Sequence, residues 1–381
     1  MIKEIAFLAI TQGHQFLHWL PAALRLADEP GIKVTVLVST QAGHDFIRSY
    51  DSEYRLHIKR LWAPSVGSKG LFRPPPRIPV LLLNARTISR YPTLVTTETT
   101  SSILRRLPGF RSETIHLKHG AGDREGSYNR KHAGFDLTLV NGTKDRQRLI
   151  ERGLASDENV RVVGYGKFEM VREPSEPLFS DCGPIAFFNS HFDRKVGTWA
   201  RHGRSIVKAM EQIPGWNFIV APHVKTRGGW TIRSDARNIL IDRGSMRSID
   251  MTYTQAAGVY IGDVSSQVYE FVRTPRPCIF LNLDHIDWRS NPAYSHWNLG
   301  QVIESVDELP GALDRAAELQ SLFEPAQHQM YAASIDASGR PASERQAEAI
   351  LAFVNRARTL RDEGFIQAVP VDPLLQPQQV A

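Results

Sequence analysis

Cysteine is nearly absent: Cys182 and Cys278 are the only two in 381 residues. Two cysteines make no disulfide framework, which excludes a stapled secreted scaffold and makes a reducing compartment the default. Long apolar runs are missing too. The densest, residues 78–83, falls well short of the roughly 18 residues that a spanning helix needs. The opening apolar stretch, residues 5–10, breaks at Thr11-Gln12-Gly13-His14, before the core of a signal peptide would be complete. A cytoplasmic protein is expected, with peripheral attachment to the inner membrane as its closest approach to a bilayer. There is no GxxxxGK[ST] phosphate loop, no GxSxG elbow and no cysteine pair at zinc spacing. Their absence argues against a P-loop kinase, an α/β-hydrolase and a zinc module. Gly164-Tyr165-Gly166 lacks the further glycine of a dinucleotide fingerprint. Internal repeats are absent, and the low-complexity content is one proline cluster at residues 74–76.

Charge of one sign is also scarce. Lys plus Arg number 46 against 40 Asp plus Glu, a net charge of +6. The cations do not gather on one helix, so a nucleic-acid partner is not expected. What is present is ordinary globular material, 42% hydrophobic and 23% charged. At this length two domains are expected.

Short apolar runs alternate with helical stretches, the pattern of a parallel sheet covered by helices. Strands are expected at residues 5–10, 34–39, 94–97, 114–118, 137–140 and 160–164. A second set follows at 185–188, 218–221, 239–241, 259–261 and 278–281. The fold class expected is α/β, two doubly wound Rossmann-like domains facing across a cleft. Residues 1–165 form the acceptor-side domain, 166–184 a linker rich in Pro and charge, and 185–330 the nucleotide-donor domain. Residues 331–366 read as a helical segment and 367–381 as a disordered Pro- and Gln-rich tail. Residues 53–91, broken by Pro and Gly, read only as a long excursion. In such folds ligands sit beyond the carboxyl ends of the strands, so the loops there carry the candidates.

The first loop holds Gly13 and His14, with His18 one turn on. A glycine at a strand-to-helix turn lets backbone approach an anion. His14 and His18, four apart, could pair on a metal, but no acidic third ligand accompanies them, so no metal is expected. The second loop, Lys118-His119-Gly120-Ala121-Gly122-Asp123-Arg124, is a poor structural turn and a good reactive one. His119 could act as general base, and Asp123 could orient it or hold a hydroxyl. The third offers His223, Lys225 and Arg227 before two glycines, a pattern that suits a phosphate clamp. The fourth, Gly262-Asp263-Val264-Ser265-Ser266, opens a helix whose free amides and hydroxyls could receive a phosphate. Glu270 lies one turn on and could accept from a ribose hydroxyl. Each loop also has a plain structural reading: a tight turn, a solvated basic loop or an ordinary helix cap.

Taken in this order, the loops resemble the CDP-glycerol glycerophosphotransferases of the teichoic-acid type, which have the two-domain GT-B architecture. The resemblance runs over about residues 114–309. It rests on His119-Gly120, Gly164-Tyr165-Gly166 with Phe168, Phe187-Phe188-Asn189-Ser190, Pro222-His223, Asp263-Val264-Ser265-Ser266 and Tyr269-Glu270-Phe271. Lys118 stands where that family usually has Trp, and Ala121-Gly122-Asp123 follows where Thr-Pro is usual. The resemblance implies transfer of a phospho-alditol, or a sugar, from a CDP- or other nucleotide-activated donor to an acceptor hydroxyl in cell-surface polysaccharide synthesis. It implies His119 as base, with His223, Ser265 and Ser266 on the donor pyrophosphate. Neither cofactor nor metal is implied, so cations and helix N-termini would neutralise the leaving group. The implied partners are the nucleotide donor and a glycan or lipid-linked acceptor, the latter met at the membrane surface. No basic amphipathic docking element stands out in the sequence. A nucleotide-sugar 2-epimerase of similar architecture is the alternative enzyme, though it would favour paired carboxylates and a glycine-rich loop at Ser265-Ser266. An inactive nucleotide-binding protein is the third reading, and the presence of both His119 and His223 argues against it.

Overall fold

The computed structural model describes residues 2–64, 70–124, 126, 128–171, 176–226 and 231–362. Its first sheet has seven strands: β1 (Lys3–Ala9), β2 (Ile32–Val38), β3 (His57–Arg60), β4 (Thr93–Thr96), β5 (Glu113–Leu117), β6 (Leu137–Val140) and β7 (Val160–Val162). Their order is β3-β2-β1-β4-β5-β6-β7, and every neighbouring pair is parallel. The second sheet has β8 (Ile185–Asn189), β9 (Asn217–Val220), β10 (Ile239–Ile241), β11 (Val259–Gly262), β12 (Cys278–Leu281) and β13 (Gln301–Ile303). It runs β10-β9-β8-β11-β12-β13, again parallel throughout. Both sheets are doubly wound: successive strands add to one side of the first strand, then to the other. The order reverses beside β1 in one sheet and beside β8 in the other, and a crevice opens at each reversal.

The strands read most easily are those buried on both faces. Ile5, Phe7 and Ala9 of β1 meet Leu17, Trp19 and Leu20 of the Phe16–Ala27 helix on one face of the sheet. Ala6 and Leu8 pack with Val80, Leu81 and Leu94 on the other. In the second sheet Phe187 faces one apolar cluster and Phe188 the opposite one. The Ala342–Asp362 helix crosses back to the first sheet, where Ala347 and Ile350 join the core beneath the Phe16–Ala27 helix. Gly166 sits between these two helices. A Cβ there would lie 2.8 Å from the His18 carbonyl oxygen and 3.0 Å from Gln346. The start of the expected linker is thus the Gly166–Met170 turn, packed against the first domain, with Tyr165 and Lys167 buried. Among the described residues no helix is long and apolar enough to cross a membrane.

Candidate active site

The two reversal points face each other across a cleft of about 490 Å³, lined by both halves of the chain. The loop after β1 contributes His14 and His18, the loop after β4 Thr97 and Glu98, and the loop after β5 His119, Gly120 and Arg124. From the second sheet come His191 and Phe192 after β8, His223 and Lys225 after β9, and Ser265, Ser266 and Glu270 after β11. The strand-end rule therefore brings most of the expected residues into one space.

Histidines dominate that space. The His14 ring is centred 5.2 Å from His223 and 6.4 Å from His119, and His18 lies 6.1 Å from His119. Burial, reinforced by nearby cations, holds His14, His18 and His223 well below the usual imidazole range. Burial and then Lys225 pull His119 down to about 3. All four rings are neutral at pH 7, so each presents one donor nitrogen and one acceptor nitrogen.

The hydrogen bonds assign which nitrogen is which for two of them. His119 Nδ1 lies 2.7 Å from the Thr97 carbonyl oxygen. A carbonyl can only accept, so Nδ1 carries the hydrogen and Nε2 keeps the lone pair. His223 is the reverse. Its Nδ1 accepts from the Lys225 backbone N–H at 3.1 Å, which leaves Nε2 as the N–H donor. One ring can take a proton; the other can give a hydrogen bond to an anion.

Lys225 supplies the charge. Its ammonium lies 5.1 Å from the centre of the Phe192 ring and has no carboxylate partner among the described residues. Burial, and the nearby Arg77 guanidinium, lower it to about 8. Arg77, at the start of the Arg77–Leu83 helix, also lines the cleft. Arg124 reaches across from the first half to His191 at 2.7 Å and Asp193 at 3.1 Å. Ser265 is buried and Ser266 half-buried at the cleft edge. Gly120 adopts φ +70, the left-handed region that favours glycine, and a Cβ there would come 3.3 Å from Ser266 Oγ. The histidine loop and the serine loop are in contact across the cleft.

Several expected residues do something else. Asp123 does not orient His119; the Thr97 carbonyl does that. Asp123 is buried between the halves, accepting from Tyr269 Oη at 2.6 Å and Lys144 Nζ at 2.8 Å, with His296 Nδ1 3.3 Å away. Its burial raises the carboxyl pKa, but His296 and Lys144 outweigh that and hold it well below the usual range. Asp263 accepts from Ser190 Oγ, the His191 amide and the Thr198 amide at 2.6–2.8 Å, so it ties loops together beneath the cleft. Gly262 lies at the end of β11 with the Tyr260 ring 2.5 Å from where a Cβ would stand. Glu270 lines the cleft, yet Lys167 holds both its oxygens at 2.7 Å and Tyr165 Oη bonds one of them at 2.7 Å. Gly13 donates its amide to the Leu71 carbonyl, and a Cβ there would strike the Leu71 side chain, so this turn packs against its own domain with its amide already paired. Arg227 lies outside the described residues.

Sequence reasoning missed Thr97, Arg77, His191 and Lys167. His191 was within reach, since it stands two residues past a readable strand. Arg77 was not, because it comes from the excursion that carried no periodicity. Among the described residues no group of three or more His, Cys, Asp or Glu side chains is arranged to hold a metal ion.

No protein-family model matches the sequence, and no curated protein matches it. Solved structures do. A UDP-GlcNAc 2-epimerase from Neisseria meningitidis, bound to UDP-GlcNAc, superposes with a TM-score of 0.65 at 10% identity, over 93% of this chain and all of its own. MnaA of S. aureus, solved with UDP, gives 0.66 at 14% identity over 98% of this chain and 100% of its own. The wall teichoic acid polymerase TagF gives 0.61 at 11% identity over 93% and 90%. At such identities the likeness is one of fold: two Rossmann-like α/β units in the GT-B arrangement.

Proposed function

We propose that this protein transfers a phospho-alditol or sugar group from a nucleoside-diphosphate-activated donor to an acceptor hydroxyl. The observation that carries the reading is Lys225, a cation without a carboxylate partner among the described residues, set with Arg77 beside neutral histidines in a cleft between two Rossmann-like units. An unpaired ammonium in such a place is completed by an anion. The diphosphate rests against Lys225, the His223 Nε2–H, Ser265 and Ser266. The acceptor hydroxyl approaches from the His119 side. Its oxygen bonds to the distal phosphorus, or to the anomeric carbon of a sugar donor. The bond to the nucleotide breaks, the proton goes to His119 Nε2, and the leaving phosphate keeps the electron pair. Neutralisation of Lys225 by the bound diphosphate removes one cause of the low His119 basicity, so the base strengthens once the donor is in place. The resemblance at His119-Gly120 and Asp263-Val264-Ser265-Ser266 favours a CDP-linked donor and a glycan or lipid-linked acceptor.

The carboxylates in the cleft weigh against the epimerase alternative. Glu98 caps the Thr100 and Ser101 amides, Asp193 pairs with Arg124, and Glu270 is held by Lys167 and Tyr165. The test is incubation with CDP- and UDP-linked donors and short glycan acceptors, followed by mass spectrometry. Nucleotide release with an acceptor gaining the group supports transfer. A UDP-sugar epimerised without acceptor, or no turnover with any donor, overturns it.

A further inference from the structure

The two walls of the cleft differ in charge. On the second-domain wall Lys225 has no counter-charge among the described residues. On the first-domain wall every Lys, Arg and Glu that lines the cleft is already matched. Arg77 faces Glu98 at 3.8 Å, Lys118 faces Asp145 at 2.5 Å, Arg124 faces Asp193 at 3.1 Å, and Lys167 is held by Glu270. Lys118 and Asp145 are both buried, and the Tyr128 hydroxyl donates to the same carboxylate oxygen. That lysine has no charge to spare for a ligand.

Between these pairs the wall is uncharged without being apolar. His116, at the end of β5 and three positions before His119, lines the cleft. It is 2% exposed, and its Nδ1 is buried without a hydrogen-bond partner. The ring is held edge-on to His132 at 4.7 Å and tilted against Phe135 at 5.1 Å. Burial, reinforced by His132, keeps it well below the usual imidazole range, so it is neutral at pH 7. A buried ring nitrogen left unpaired costs free energy until a partner arrives. Nδ1 is a donor in one tautomer and an acceptor in the other; a hydroxyl, which can do both, completes it either way. Thr99 and Asn129 line the same wall. Asn129 Oδ1 accepts from the Lys131 amide at 3.1 Å, which leaves the side-chain amide hydrogens for a ligand.

We propose that the acceptor enters with an uncharged, hydroxyl-rich terminus, a neutral sugar ring or polyol, whose neighbouring hydroxyls are held by His116, Thr99 and Asn129 while one hydroxyl meets His119. The inference rests on the transfer reading and narrows its acceptor. A terminus bearing phosphate or carboxylate is rejected, because on this wall it loses hydration without meeting an unmatched cation. The cleft thus sorts its two substrates by charge: the anionic donor goes to Lys225 and the neutral acceptor to the facing wall.

The test is saturation-transfer NMR with calorimetry on the full chain, saturated with CDP or UDP so that a probe's phosphate cannot use Lys225. The probes are glucose, N-acetylglucosamine, glycerol and ribitol, each beside its monophosphate. At least one neutral probe is expected to bind, about tenfold or more tighter than its monophosphate. His116→Leu should weaken that probe by about 2–10-fold, and His116→Asn, which sets a polar atom where Nδ1 stands, should regain part of the loss. Nucleotide affinity is expected to stay at the wild-type value in both variants and reports that they remain folded. Where a probe is turned over, His116→Leu should raise its KM more than it lowers kcat. Monophosphates that bind as tightly as the neutral probes overturn the proposal, as does a neutral affinity that His116→Leu leaves unchanged, or no binding by any neutral probe. Neutral probes that bind and are never modified refute transfer and keep the wall as a sugar or polyol site. Turnover onto a phosphate-terminated acceptor keeps transfer and refutes the sorting by charge.

Discussion

Lys225 gives the sharpest test, because the same side chain should weaken the empty protein and hold the donor. Its ammonium has an ordinary value near 10.5 and is lowered to about 8 by burial and by Arg77. At about 1.36 kcal/mol per tenfold, that fall corresponds to up to about 3 kcal/mol of destabilisation at neutral pH. The sign follows from proton counting. Below pH 8 both folded and unfolded chains carry the proton, and the cost is present in full. Between about 8 and 10.5 the unfolded chain binds more protons, so stability rises with pH in that window. Lys225→Met removes the charge and keeps most of the stem. It should therefore raise the unfolding free energy of the ligand-free protein at pH 7 by up to about 3 kcal/mol. It should also weaken CDP or UDP by about 10–150-fold, since a hydrogen bond to a charged group contributes about 1.5–3 kcal/mol. The wild type should lose nucleotide affinity as pH rises through 8, whereas Lys225→Arg, whose guanidinium does not titrate there, should keep it. Denaturant unfolding and titration calorimetry across pH 6–10 read both effects, within about the range where Lys225 changes charge. Reduced stability together with unchanged nucleotide affinity in Lys225→Met would refute the reasoning, because the lysine would then be a structural element and not an unpaired cation awaiting its anion.

His119→Asn can keep the bond to the Thr97 carbonyl but cannot accept a proton; turnover should fall about 10²–10⁴-fold with donor affinity nearly intact, and retention of more than about a tenth of wild-type turnover would make His119 structural. Ser265→Ala with Ser266→Ala should weaken CDP and UDP about tenfold or more by calorimetry; unchanged affinity for both would move the phosphate site elsewhere. Glu270→Ala leaves Lys167 buried and unpaired, so it should cost about 3–5 kcal/mol in unfolding free energy, and a loss under about 1 kcal/mol would show that water reaches the pair.

How much of this was legible in the sequence follows from where each residue is buried. β1 and β8 read plainly because apolar neighbours cover both faces, leaving continuous hydrophobic runs. β3 and β13 did not. They are edge strands of four and three residues; β3 is His-Ile-Lys-Arg, mostly exposed, and no apolar run marks it. The Arg77–Leu83 helix was half-visible for the same reason reversed. Residues 78–83 form the densest apolar run, yet only folding separates Val80 and Leu81, which face the core, from Ile78, Leu82 and Leu83, which do not.

The site divides along a similar line. His14, His119, His223 and Lys225 were legible because each follows a strand, and the topology alone carries strand ends to the cleft. The carboxylates were misread because their role is set by partners far away in the chain. Asp123 meets Tyr269, 146 positions on, and Glu270 meets Lys167, 103 positions back. A buried carboxylate is satisfied wherever a cation or hydroxyl reaches it, and sequence spacing does not say where that is. The tautomers are a further step removed. That His119 keeps its lone pair on Nε2 while His223 keeps a hydrogen there depends on one carbonyl, at Thr97, and one amide, at Lys225. Two identical side chains thus face the same cleft with opposite polarity, and the backbone atoms behind them make the difference. A transfer reaction needs that asymmetry, since the acceptor must lose a proton on the side opposite to where the leaving phosphate gains its hydrogen bonds.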